Sequence, residues 1–179
     1  MGESALDVLA REHHELDEVF ARVSDPDADR AKVWKDLVRQ LATHVAVERT
    51  FLFPLVRRHR LGSEQLAHEL RGDYRRMEHL LVLTERRKIN SPDMPALVTD
   101  LLDTFEAHEE RCAKGLIPLL REHVGAAELE ALGAKMRGAE NVIVSHPHPH
   151  LLALGPLYRL TTRIASAWDR ARDRTVSNR

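Results

Sequence analysis

Two stretches of this 179-residue chain repeat one another: His44 to His59 reads HVAVERTFLFPLVRRH, and His108 to His123 reads HEERCAKGLIPLLREH. At an offset of 64, His44 falls on His108, Leu52 on Leu116, Pro54 on Pro118, Leu55 on Leu119, Arg57 on Arg121 and His59 on His123, with Glu48 opposite Cys112. A second match at an offset of 61 sets Leu9, Glu12, His13, Leu16, Val19 and Phe20 against Leu70, Asp73, Tyr74, Met77, Leu80 and Leu81. A duplicated helical hairpin has this pattern, and a two-fold-related bundle brings its equivalent positions together at the centre.

Apolar spacing agrees. Residues recur every three and four positions in four long segments, and no period-two alternation is sustained, so the fold class is all-α. Segment one starts after Ser4, with Asp7 completing a capping-box pattern, and ends at Asp25-Pro26-Asp27. Segment two runs from about Asp29 to Arg60, kinked by Pro54. Segment three opens at Gly62-Ser63 and closes near Lys88; segment four starts around Pro95 and reaches about His123. At a rise of 1.5 Å per residue each spans roughly 30 Å, and short connections make neighbours antiparallel, giving an up-down-up-down four-helix bundle over residues 4–123. A short accessory helix with Leu129, Leu132 and Met136 follows over 124–140, then a Pro/His-rich connector over 141–156. A basic amphipathic helix over 157–179, with Leu157, Ile164 and Trp168 on one face, ends the chain.

Polar residues inside the apolar stripes locate a site. His13 lies on the stripe of segment one, His44 and Glu48 face inward together in segment two, Tyr74 sits between Leu70 and Met77, and His108 and Cys112 sit between Phe105 and Leu116. Six potential ligands converge on one level of the core. Burying three imidazoles, a carboxylate, a phenol and a thiol without partners costs on the order of a few kcal/mol per unsatisfied group. A cation satisfies them together, by pairing the carboxylate and taking the imidazole lone pairs. The alternative is a histidine, glutamate and tyrosine hydrogen-bond network without metal. Tyr74 reads equally as a ligand or as support for a neighbour, and Cys112 as a ligand or a small core hydrophobe. Glu78, four residues after Tyr74, is a possible secondary carboxylate. His14, His59, His68, His79 and His123 lie off the stripes and read as solvated, and His146, His148 and His150 alternate with proline as a stiff connector.

Composition excludes several classes. With 27 Lys plus Arg against 28 Asp plus Glu the chain lacks the field that holds nucleic acid. No apolar run is long enough to span a bilayer, and Leu6 stands where a myristoylation signal wants Ser or Thr. One cysteine among 179 residues cannot form an internal disulfide, and no secretory leader is visible, so a reducing cytoplasm is expected. The charge imbalance is in the tail, where residues 151–179 hold six Arg and two Asp; docking of its apolar face on the bundle is expected, and its protein partner is unknown.

The first-helix histidine, the paired H-x-x-x-E-type segments each ending in an apolar-Pro pair, and the repeat of helices two and four resemble the hemerythrin-like (HHE cation-binding) family of bacterial type. The similarity covers roughly residues 4–123, and PHPH, GPLYRL and WDRARD extend it weakly to the C-terminus. The resemblance implies iron ligands at His13, His44, Glu48 and His108, and a non-haem di-iron centre with an open position for dioxygen, nitric oxide or peroxide. Two positions depart from the family pattern: Tyr74 replaces the usual helix-three histidine, and Cys112 replaces the second bridging carboxylate. The number of irons and the reversibility of dioxygen binding turn on these two. A phenolate favours ferric iron, which shifts the expectation from oxygen carriage toward catalase- or peroxidase-like chemistry or iron sensing. A His/Glu/Cys set also suits a single Zn. Three readings follow: an iron protein of redox defence, a single-metal (Fe or Zn) sensing module, and a degenerate bundle without metal.

Overall fold

A computed structural model describes residues 2–85, 87 and 90–140. Lys88, the connector with His146, His148 and His150, and the C-terminal helix with Leu157, Ile164 and Trp168 lie outside the described residues.

The first rod, α1 (Ala5–Val23), begins on the expected capping box: Asp7 N–H donates to Ser4 Oγ at 3.3 Å, and Ser4 N–H donates to the Asp7 carboxylate at 2.8 Å. Together they satisfy orphan donors of the first turn. The Asp25 side chain accepts from Asp27 N–H at 2.9 Å in the turn that follows. Asp29 then caps α2 (Arg30–Val47) by accepting from Lys32 N–H. The helical path continues through a π-turn over Glu48–Leu52 into α3 (Phe53–His59).

That π-turn stands just before Pro54, where a kink is expected. Proline has no N–H to return to the carbonyl four residues back, and its ring crowds that carbonyl. The chain responds one residue earlier, where Phe53 N–H reaches back to Glu48 O, five residues away. The third rod, α4 (Glu64–Glu85), starts where Ser63 Oγ accepts from Leu66 N–H. The fourth is α5 (Met94–Arg111), with Pro95 in its first turn, where its missing N–H costs nothing. A second π-turn, Cys112–Leu116, leads into α6 (Ile117–His123), and Ile117 N–H bonds Cys112 O ahead of Pro118. The repeat therefore extends to backbone irregularity: each π-turn starts four residues after a buried histidine and ends two before a proline.

The core is one continuous cluster running through all four rods, with Phe20 and Phe105 stacked at 5.4 Å between centroids. The accessory helix α7 (Ala126–Glu140) packs on α1 and α2. Its Gly133 is the closest approach: a Cβ there would stand 2.4 Å from Glu3 O. Arg137 Nη1 donates to the same carbonyl at 2.6 Å and fixes α7 to the start of the chain.

Candidate metal centre

All six stripe positions are buried, none more than 4% exposed. His13 comes from α1, His44 from α2, Glu48 from the head of the first π-turn, Tyr74 from α4, His108 from the end of α5 and Cys112 from the head of the second π-turn. One donor atom each from His13, His44, Glu48 and His108 lies within 4.8 Å of the others. His44 Nε2 faces His108 Nε2 at 3.4 Å, and Glu48 Oε1 is 3.8 Å from His44 Nε2 and 4.0 Å from His13 Nε2. Phe105 closes one side, its ring centroid 5.7 Å from that of His13 and 6.1 Å from that of His44.

The inner atoms of this cluster are unsatisfied. His108 Nε2 approaches Glu48 Oε2 to 3.1 Å, but the approach is not aligned as a hydrogen bond. Both Glu48 oxygens and His13 Nε2 are buried without a hydrogen-bond partner. Leaving a buried polar group unpaired costs about 1–3 kcal/mol, more for a charge, so three such atoms facing one another are a poor hydrogen-bond network and a good cation cradle. Three imidazoles and one carboxylate are a donor set for iron or zinc.

Each outer nitrogen faces a carboxylate, and that of His44 is hydrogen-bonded to it. His44 Nδ1 lies 2.7 Å from Glu12 Oε2. His108 Nδ1 is buried without a hydrogen bond, with Asp73 Oδ2 3.9 Å away, and Asp73 is itself gripped by Arg111 Nη1 at 2.9 and 2.8 Å. His13 Nδ1 stands 3.9 Å from Glu109 Oε1. A carboxylate on the outer nitrogen fixes the tautomer, directs the other lone pair inward and raises the basicity of a metal ligand. The stripe analysis missed Glu12 because it sits one position before the stripe residue His13. The signal was present in the repeat, where Glu12 pairs with Asp73 as His44 pairs with His108.

These observations now meet what the chain is similar to. The hemerythrin HHE cation binding domain matches residues 4–134. The chain belongs to the hemerythrin HHE cation-binding family. An uncharacterized hemerythrin-like protein of Schizosaccharomyces pombe is 22% identical over 171 residues, covering 93% of this chain and 84% of that protein. The crystal structure of a hemerythrin HHE cation binding domain-containing protein from Mycobacterium kansasii superposes with a TM-score of 0.65 at 21% identity, over 77% of this chain and 85% of the other. The hemerythrin-like fold thus holds, and the family match runs past the four rods into α7.

Within this hemerythrin-like bundle, Tyr74 and Cys112 stand at the edge of the four-donor group. The Tyr74 ring lies 5.3 Å from the His108 ring, and Cys112 Sγ is 3.6 Å from His108 Nε2. Burial pushes the Tyr74 phenol well above its ordinary value, and the charges of Glu48 and Cys112 add to that. Burial likewise raises the Cys112 thiol, with Glu48 adding and His108 opposing. Burial depresses His13 to about 3, helped by His44, and His44 to about 4, against the pull of Glu48. Both rings are therefore neutral donors near pH 7. Burial also works against charge on Glu48 and His108, but their mutual attraction wins. Glu48 is held well below the carboxylate range by His108 and His44, and His108 well above its own by Glu48 and Cys112.

Glu78 stands apart from the four-donor group: both its oxygens accept from Arg49 Nη1, at 3.2 and 3.0 Å. Burial raises it to about 7 despite Arg49. His14, His68, His79 and His123 are exposed as expected. His59 differs: it is half-buried, and its Nε2 lies 3.1 Å from Glu128 Oε2, tying α3 to α7. Among the described residues no helix is long and apolar enough to cross a membrane.

Proposed function

We propose that this hemerythrin-like chain is a cytoplasmic non-haem iron protein that binds or turns over peroxide, nitric oxide or dioxygen in redox defence. The observation that carries the reading is the inward convergence of His13, His44, Glu48 and His108, with both Glu48 oxygens buried and without a hydrogen bond. His13 and His44 would be neutral terminal donors, His108 a third after giving up the proton that Glu48 favours on it, and Glu48 the charge-compensating carboxylate. Tyr74 would add a phenolate, and Cys112 a thiolate or the wall of the open position. When bound, iron supplies a redox couple and a coordination site for a small ligand. The chain's own residues enclose and orient that site. Phe105 closes one side against the rings of His13 and His44, while Glu12 keeps the His44 imidazole oriented.

One observation favours a second reading, a single-metal sensing or binding module. The four donors fit within 4.8 Å of one another, a span suited to one ion, and the position equivalent to Glu48 in the repeat is a thiol rather than a carboxylate. Peroxide consumption separates the readings. Turnover by the iron-loaded protein, lost in His44→Ala, supports redox defence; iron held without turnover under saturating peroxide supports the module.

A further inference from the structure

A cleft of about 840 Å³ opens between the end of α3 and the first turns of α4, at the end of the bundle built by the loop between them. Its walls include Arg57, Arg60 and Arg71, with His68 beside them and a single acid, Glu64. Several arginines elsewhere on the bundle are paired: Arg49 with Glu78, Arg58 with Glu128 and Arg111 with Asp73. The three in the cleft have no carboxylate partner among the described residues. Three guanidinium charges against one carboxylate leave an excess of two positive charges in a concavity the size of a metabolite site.

Arg71 is held in place without an acid. Arg71 lies over the Phe53 ring, 5.4 Å from its centroid. Stacking restrains the guanidinium plane and leaves its edge donors free for an acceptor. Arg60 takes a left-handed conformation, φ 51 and ψ 42, at the end of α3, where glycine would be cheaper. Arg60 thus keeps a long cationic side chain at a position that favours glycine, beside a cleft with one acid.

The geometry points to this cleft as a binding site for a phosphate dianion, free or as the ester of a small molecule, held by Arg57, Arg60 and Arg71. A dianion matches the excess charge. Its oxygens match the fork of an arginine. The site is independent of the metal reading, since none of its residues belongs to the donor cluster.

The test is isothermal titration of the full chain, as purified, with inorganic phosphate and with phenyl phosphate at constant ionic strength. Saturable binding is expected. Equal affinities assign free phosphate, and tenfold tighter phenyl phosphate assigns an ester whose body uses the Phe53 side. Arg60→Gly removes a guanidinium while relieving the backbone, so it should keep its melting temperature and metal content yet bind about tenfold more weakly. Arg71→Gln should behave likewise, and Arg75→Gln, exposed on α4 outside the cleft, should bind as the wild type does. Absence of saturable binding of both probes, or binding indifferent to Arg60→Gly and Arg71→Gln, overturns the assignment.

Discussion

Glu12 Oε2 stands 2.7 Å from His44 Nδ1, on the side of the ring turned away from the donor cluster. Its counterpart in the repeat, Asp73, reaches only to 3.9 Å of His108 Nδ1 and is already committed to Arg111. Of the two equivalent histidines, His44 is thus held by a hydrogen bond at its outer nitrogen, and His108 is not.

Glu12→Gln should therefore weaken metal binding by roughly 10- to 100-fold while the metal-free protein keeps its melting temperature to within a few degrees. Asp73→Asn should cost less. Competition against a chelator measures both. Equal affinity in Glu12→Gln and the wild type would show that Glu12 does not orient His44.

Tyr74 is almost fully enclosed, and burial together with Glu48 and Cys112 holds the proton on its phenol in the metal-free protein. Ferric loading should displace that proton and produce a broad visible band. Tyr74→Phe keeps the ring and should lose the band without losing the fold. An unchanged spectrum would make Tyr74 a neighbour of the ligands rather than one of them.

Two glycines give opposite outcomes on stability. Gly133→Ala drives a methyl against the backbone of Glu3 and should cost on the order of 1–3 kcal/mol, or unseat α7 from α1. Gly72→Ala adds a methyl with nothing within 4 Å in the middle of α4, and should stabilise by about 0.5–1 kcal/mol. Thermal melts of the pair would contradict the docking of α7 if both variants were stabilised.

The metal-free protein should be acid-sensitive in a defined window. An unfolded chain protonates His13 and His44 near 6.5, but the folded chain holds them to about 3 and about 4. The unfolded state binds more protons between those values, so stability falls as pH drops from 6.5 toward 4, by on the order of a few kcal/mol. His108 has the opposite sign. Its raised folded value gives stability that is complete below 6.5 and lost as pH climbs through that value. Urea unfolding across pH should show the acid decline in the wild type and a shallower one in His13→Gln. Rising stability from pH 6.5 to 4.5 would contradict the burial of neutral imidazoles.

The bundle was legible because each rod carries its own period and its own start signal, as with Ser4 and Asp7. The donors were legible because imidazole and carboxylate break an apolar stripe at His13, His44, Glu48 and His108. The repeat gave the pairing of halves, but not the π-turns. Those arise from Pro54 and Pro118 acting on the preceding turn, a backbone compromise that residue spacing alone does not encode. Glu12 escaped because its function comes from contact across two helices, with a ring 32 positions away. His59 escaped for the same reason, since Glu128 reaches it from α7.

The central claim is that His13, His44, Glu48 and His108 hold iron. Elemental analysis of the full chain, purified without a histidine tag, alongside His44→Ala, tests it most directly. Stoichiometric iron in the wild type, stripped in the variant, is the expected result. Metal-free protein whose melting temperature ignores added ferrous iron, or zinc in place of iron, would contradict it.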